Sequence, residues 1–119
     1  MKKVLIIEDK AVFQGLWEME LDGKVLLFQA ISIPEAKNIF YQNPDLSVIT
    51  MDACVPGDEP NTIPLVEEIR KTYSGPIIAT SSDENFCEAL IKAGCNYGIS
   101  KENVAEEILK VLSLKKEDF

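Results

Sequence analysis

Five times along this chain a short aliphatic run is followed by a segment whose apolar residues recur at helical spacing. The runs are "KVLIIED", "KVLLFQA", "DLSVITM", "PIIATS" and a weaker, shorter "CNYGIS". Strands that are apolar almost throughout need cover on both faces, and strands joined by helical crossovers run parallel. The alternation therefore predicts a doubly wound α/β sandwich whose five parallel strands lie in the order 2-1-3-4-5. The 119 residues suit one domain with one core, placed at 3–112, and the last seven, "SLKKEDF", read as a charged tail.

The intervening segments carry start and stop signals. "DKAVFQGLWEMELDG" sets Val12, Phe13, Leu16 and Trp17 at helical spacing, with Leu21 beyond, before Asp22-Gly23 ends it. In "SIPEAKNIFYQNP" Pro34 sits near a helix start, and Ala36, Ile39 and Phe40 share a face. "IPLVEEIRKTY" groups Leu65, Val66, Ile69 and Tyr73. "SDENFCEALIKAG" opens on a Ser/Asp cap and closes on Gly94, and "NVAEEILKVL" is the last helix.

Composition removes several functions. No apolar run approaches the ~20 residues of a membrane helix, and the run after "MKK" breaks at Glu8, too soon for a signal peptide. A cytoplasmic protein without membrane insertion is expected. A net charge of −8 argues against direct nucleic-acid binding, which needs a basic footprint, and favours a cation or a basic partner surface. Three cysteines without CxxC spacing and the absence of histidine point away from zinc, disulfides and imidazole acid/base chemistry.

In open α/β sheets ligands bind beyond the carboxyl ends of the strands, at the switch point beside strand 1. Strand 1 ends in Glu8 and Asp9, strand 3 in Asp52, strand 4 in Ser81 and strand 5 in Ser100-Lys101, whereas outer strand 2 ends without charge. Each residue alone has an ordinary explanation: carboxylates favour helix N-termini, serine is a loop hydroxyl, lysine a surface charge. Their convergence on one rim is more specific. Clustered carboxylates raise one another's pKa unless a cation intervenes, and an oxygen-only donor set with room for water suits Mg²⁺. A metal beside Asp52 would polarise an incoming phosphoryl group, with Lys101 balancing charge and Ser81 donating a hydrogen bond. Asp52 then makes sense as a nucleophile that forms an aspartyl phosphate.

These residues resemble the receiver domains of two-component response regulators, which have the flavodoxin/CheY-like fold, over nearly the whole chain. "VLIIED" resembles the family's acidic pair, "DLSVITMDACVPG" its phosphoacceptor strand and loop, "PIIATSS" its hydroxyl strand and "AGCNYGISK" its lysine strand. The resemblance implies Asp52 as phosphoacceptor, Asp9 as a direct Mg²⁺ ligand and Glu8 as one acting through water. It also implies that the backbone carbonyl of Cys54 completes the protein ligands, with Ser81 and Lys101 in the hydroxyl and lysine roles. The donor would be a histidine kinase or histidine phosphotransfer protein, and the output a downstream protein target, with room for a weak homodimer. Such a protein is a signalling domain, not a turnover enzyme.

The sequence departs from that pattern in places. Gly98 stands where the family has its switch aromatic, and Tyr97, one place earlier, faces the other side of the strand. With no side chain at 98, space is expected there. Glu102 replaces the proline that usually follows a cis bond after the lysine, and the loop after Asp52 is about two residues longer than usual. Asp83 either orients a hydrolytic water or caps the fourth helix. An FMN-binding flavodoxin is disfavoured by the negative "EDK" where a phosphate would sit. A phosphatase would want a second carboxylate two residues after Asp52, where the chain has Cys54. A degenerate receiver that binds proteins irrespective of phosphorylation is the remaining alternative.

Overall fold

The computed structural model describes residues 1–57 and 59–117, with only the backbone described over 114–117. The elements are β1 (Lys3–Ile7), α1 (Ala11–Leu21), β2 (Leu26–Ala30), α2 (Ile33–Gln42), β3 (Val48–Asp52), α3 (Ile63–Arg70), β4 (Ile77–Thr80), α4 (Glu84–Ala93), β5 (Tyr97–Ile99) and α5 (Val104–Glu117). A 3₁₀ turn over Lys101–Asn103 leads into α5. The five strands are parallel in the order β2-β1-β3-β4-β5, as the alternation predicts. Because the chain leaves β1 toward β2 and later returns to β3 on the other side, the switch point lies between β1 and β3.

Side-chain alternation along the strands splits the core in two. Leu5, Ile7, Ile49, Met51, Ile77 and Ala79 face α2, α3 and α4. Val4, Ile6, Val48 and Ile78 face α1 and α5, where Trp17, Leu21, Ile108 and Leu112 meet them. Complete burial of one such aliphatic side chain stabilises by roughly 1.5–3 kcal/mol. Local chemistry sets the ends: Ser32 and Asp83 accept from the backbone N–H groups of Glu35 and Asn85, and Gly94 closes α4 at φ 141°. Across the amino-terminal side of the sheet, Arg70 donates to the carbonyls of Gly94, Tyr73 and Gly75 and to Asn96, tying α3 to the α4–β5 connection.

Three details differ from the sequence reading. The buried face of α1 runs through Gln14, Trp17 and Leu21, whereas Val12 and Leu16 are exposed. The second strand is an edge with only Ala30 fully covered, because among the described residues no strand pairs beyond it. α5 continues through 113–117, into the stretch read as a tail, whose positions 118–119 lie outside the described residues. Among the described residues no helix is long and apolar enough to cross a membrane.

Candidate functional site

β1 and β3 end side by side, since Ile7 pairs with Met51, so the residues that follow each strand emerge together. That register brings Glu8, Asp9 and Asp52 to one point, where one carboxylate oxygen from each lies within 4.8 Å of the others. Glu8 and Asp52 are buried, and Asp9 is half-buried. Asp9 Oδ1 is enclosed without a hydrogen-bond partner. An orphaned anionic oxygen beside two further carboxylates is costly unless a cation supplies the missing charge. The donor set is all oxygen, which fits a hard divalent cation.

Lys101 arrives at the same point from the turn after β5. Its Nζ lies 2.6 Å from Glu8 Oε1 and 3.4 Å from Asp52 Oδ2, so in this arrangement the ammonium sits closer to Glu8. Glu8 also accepts from the Lys10 backbone N–H at 3.1 Å. Burial, aided by the neighbouring Asp52 charge, pushes the Glu8 carboxyl up to about 7 against the opposing pull of Lys101. For Lys101 burial acts against the charge, but the Glu8 bond and the two carboxylates outweigh it and raise its pKa.

The loop after β3 is pinned from beneath. Buried Thr62 donates its hydroxyl to the carbonyl of Asp52 at 2.8 Å and to that of Ala53 at 3.1 Å. Asn61 uses its side-chain amide to bond both the N–H and the carbonyl of Val55, each at 2.8 Å. The Cys54 N–H approaches Asp52 Oδ1 at 3.4 Å. Asp52, Cys54, Ser81 and Lys101 thus share the wall of a cavity of about 260 Å³, which Lys10 and Phe86 help to close. Glu8 and Asp9 do not line this cavity but meet Asp52 in the carboxylate cluster beside it.

Two expectations about the rim are refined. Asp83 accepts from the Asn85 N–H at 2.9 Å, which is the helix cap, and its own N–H donates to Ser81 Oγ at 3.1 Å. Gly98 does not simply leave space: a Cβ there would lie 3.1 Å from Cys87 Cβ and 3.2 Å from its Sγ. Cys87 of α4 covers the glycine, and beside them opens a groove of about 650 Å³ reaching from Ile91 to Phe13 and Lys101. The Lys101–Glu102 bond is trans; among the described residues the cis bond is Val55–Pro56.

Sequence reasoning missed three contributors on α1. The Gln14 side-chain amide donates to the carbonyls of Ile6, Glu8 and Ala30, locking the end of β1. Phe13 and Trp17 both contact Lys101. A lone polar residue on an otherwise apolar helix face was the available signal for Gln14. For the aromatic pair there was none beyond helical spacing.

No family model matches the chain, and neither does any curated protein. Solved structures do match in fold. A two-component response regulator from Clostridium difficile aligns with 95% of this chain and 97% of its own at 18% identity, with a TM-score of 0.80. A response regulator from Burkholderia pseudomallei, solved with a phosphorylated aspartic acid, calcium ion and citrate, aligns with 99% of this chain and 73% of its own at 20% identity and a TM-score of 0.77. A chain of the Saccharomyces cerevisiae complex between the histidine phosphotransfer signaling protein Ypd1 and the receiver domain of its downstream response regulator Ssk1 aligns over 84% of this chain and 78% of that one. Its identity is 24% and its TM-score 0.69. The fold is therefore the one that response-regulator receivers adopt.

Proposed function

We propose that this chain is a receiver: it takes a phosphoryl group onto Asp52 from a phosphohistidine and signals through phosphorylation-dependent protein binding. The observation that carries this reading is the meeting of three carboxylates within 4.8 Å beside a half-buried lysine. An Asp52 oxygen attacks phosphorus in line, an O–P bond forms, and the P–N bond to the donor imidazole breaks. The imidazole leaves with the electron pair and takes a proton from solvent. Lys101 pairs with the phosphoryl oxygens as its bond to Glu8 lengthens, and the Ser81 hydroxyl donates to another of them. Asp9, Asp52 and the Cys54 carbonyl would hold Mg²⁺, with Glu8 reaching it through water. When bound, the cation neutralises charge on the phosphoryl oxygens.

The donor would be a histidine kinase or phosphotransfer protein. Val12, Leu16 and Met19 form an exposed apolar stripe along α1 beginning three residues after Asp9, and such a stripe suits docking of a helical donor beside the cavity. A downstream protein would receive the signal. The second reading, a binding module indifferent to phosphorylation, draws on Gly98 and the groove beside it. It requires that Asp52→Ala leave partner binding unchanged.

Incubation with acetyl phosphate and Mg²⁺, followed promptly by intact-mass or Phos-tag analysis, tests the proposal. The wild type should gain one phosphoryl group, and both Asp52→Ala and chelation of the metal should abolish the gain. Modification that survives Asp52→Ala, or none with several donors, overturns it.

A further inference from the structure

α1 starts two residues after Asp9, and its inner side carries two aromatics, half-buried Phe13 and buried Trp17. The rings of Phe13 and Trp17 stack at 5.6 Å between centroids and 16° between planes. They are one helical turn apart, where side chains naturally meet. Both touch Lys101, 84 residues beyond Trp17 in sequence: the Trp17 indole N–H donates to its backbone carbonyl at 3.2 Å, and the Phe13 ring centroid lies 4.9 Å from its Nζ. The lysine is thus held at both ends, backbone and ammonium, by one helix.

An ammonium has three N–H groups. Glu8 and Asp52 oxygens lie 2.6 and 3.4 Å from it, and it stands over the Phe13 ring at 4.9 Å. The negative face of an aromatic ring attracts a cation within about 6 Å, more strongly where water is excluded. Unlike a carboxylate, the ring offers no lone pair that would hold an N–H against an incoming phosphoryl oxygen. A ring at this place keeps the ammonium at the cavity without locking it onto its acidic partners.

We infer that Phe13 is a positioning residue of the site, holding the Lys101 ammonium by its ring face so that it can move from Glu8 to the phosphoryl oxygens on Asp52. This inference rests on the receiver reading. It assigns α1 a part in phosphoryl transfer beyond core packing.

Replacement of Phe13 by its mono-, di- and trifluorinated analogues keeps the shape while removing ring-face charge. The rate of phosphorylation by acetyl phosphate at fixed Mg²⁺ should fall stepwise across the series, to about one fifth, as expected for a contact of about 1 kcal/mol. The melting temperature and the Mg²⁺ midpoint should stay nearly constant. Phe13→Leu should lose as much rate as the trifluoro analogue, and Phe13→Tyr should restore it. In the NMR spectrum the Lys101 Hε protons of the wild type should carry an upfield ring-current shift that Phe13→Leu removes. A rate independent of fluorination, or a Lys101 shift unchanged by Phe13→Leu, overturns the inference. If the wild type takes no phosphoryl group at all, the receiver reading fails separately, and the Lys101 shift alone still decides whether Phe13 holds the ammonium.

Discussion

At the scale of single residues, Glu8 carries the most testable consequence. Its carboxyl, 4.5 in the open chain, is pushed up to about 7 in the fold, first by burial and then by Asp52. An acid whose pKa rises on folding binds more protons folded than unfolded between those values. Its contribution to stability is therefore complete below about 4.5 and lost as the pH climbs through about 7. The metal-free protein should lose on the order of 2 kcal/mol across that window. Thermal melts in chelator at several pH values should show the decline, and Glu8→Gln should flatten it. Added Mg²⁺ should reverse the decline, because it binds the ionised carboxylates and so favours the folded state.

At the scale of elements, under the receiver reading the contact between α4 and β5 limits what the site transmits. Cys87 occupies the place beside Gly98, so Gly98→Phe should overpack the contact and destabilise by roughly 1–3 kcal/mol, measurable by urea denaturation. Tyr97 is anchored, its hydroxyl donating to Glu107 of α5. A ligand shifts an equilibrium only through contacts that differ between its states. With no aromatic side chain at Gly98 and Tyr97 tied down, beryllofluoride should perturb the amides of residues 53–60 and 81–88 more than Tyr97 and α5. Amide NMR shifts decide this, and larger changes along α5 would refute it. The strands were legible because apolar runs bounded by turn residues leave few alternatives, and even the short "CNYGIS" gave β5. The buried side of α1 was not, because Val12 and Leu16 have the same periodicity as the side that packs. Only the presence of α5 against Phe13 and Trp17 decides between them.

At the scale of the whole molecule, parallel topology made the site legible before the structure. Once strand order is known, the carboxyl ends of β1, β3, β4 and β5 must lie on one rim, and Glu8, Asp9, Asp52, Ser81 and Lys101 follow. What order alone withholds is which partner each charge takes, and here Lys101 sits nearer Glu8 than Asp52. That ion pair joins positions 93 residues apart. In the cell a polypeptide emerges from the ribosome amino terminus first, so the acids are exposed long before the lysine is made. A nascent chain halted within α4 would carry its carboxylates without their counter-charge and could not complete the site. The ion pair that holds the lysine at the carboxylates therefore forms only after the chain has been made through the turn that follows β5.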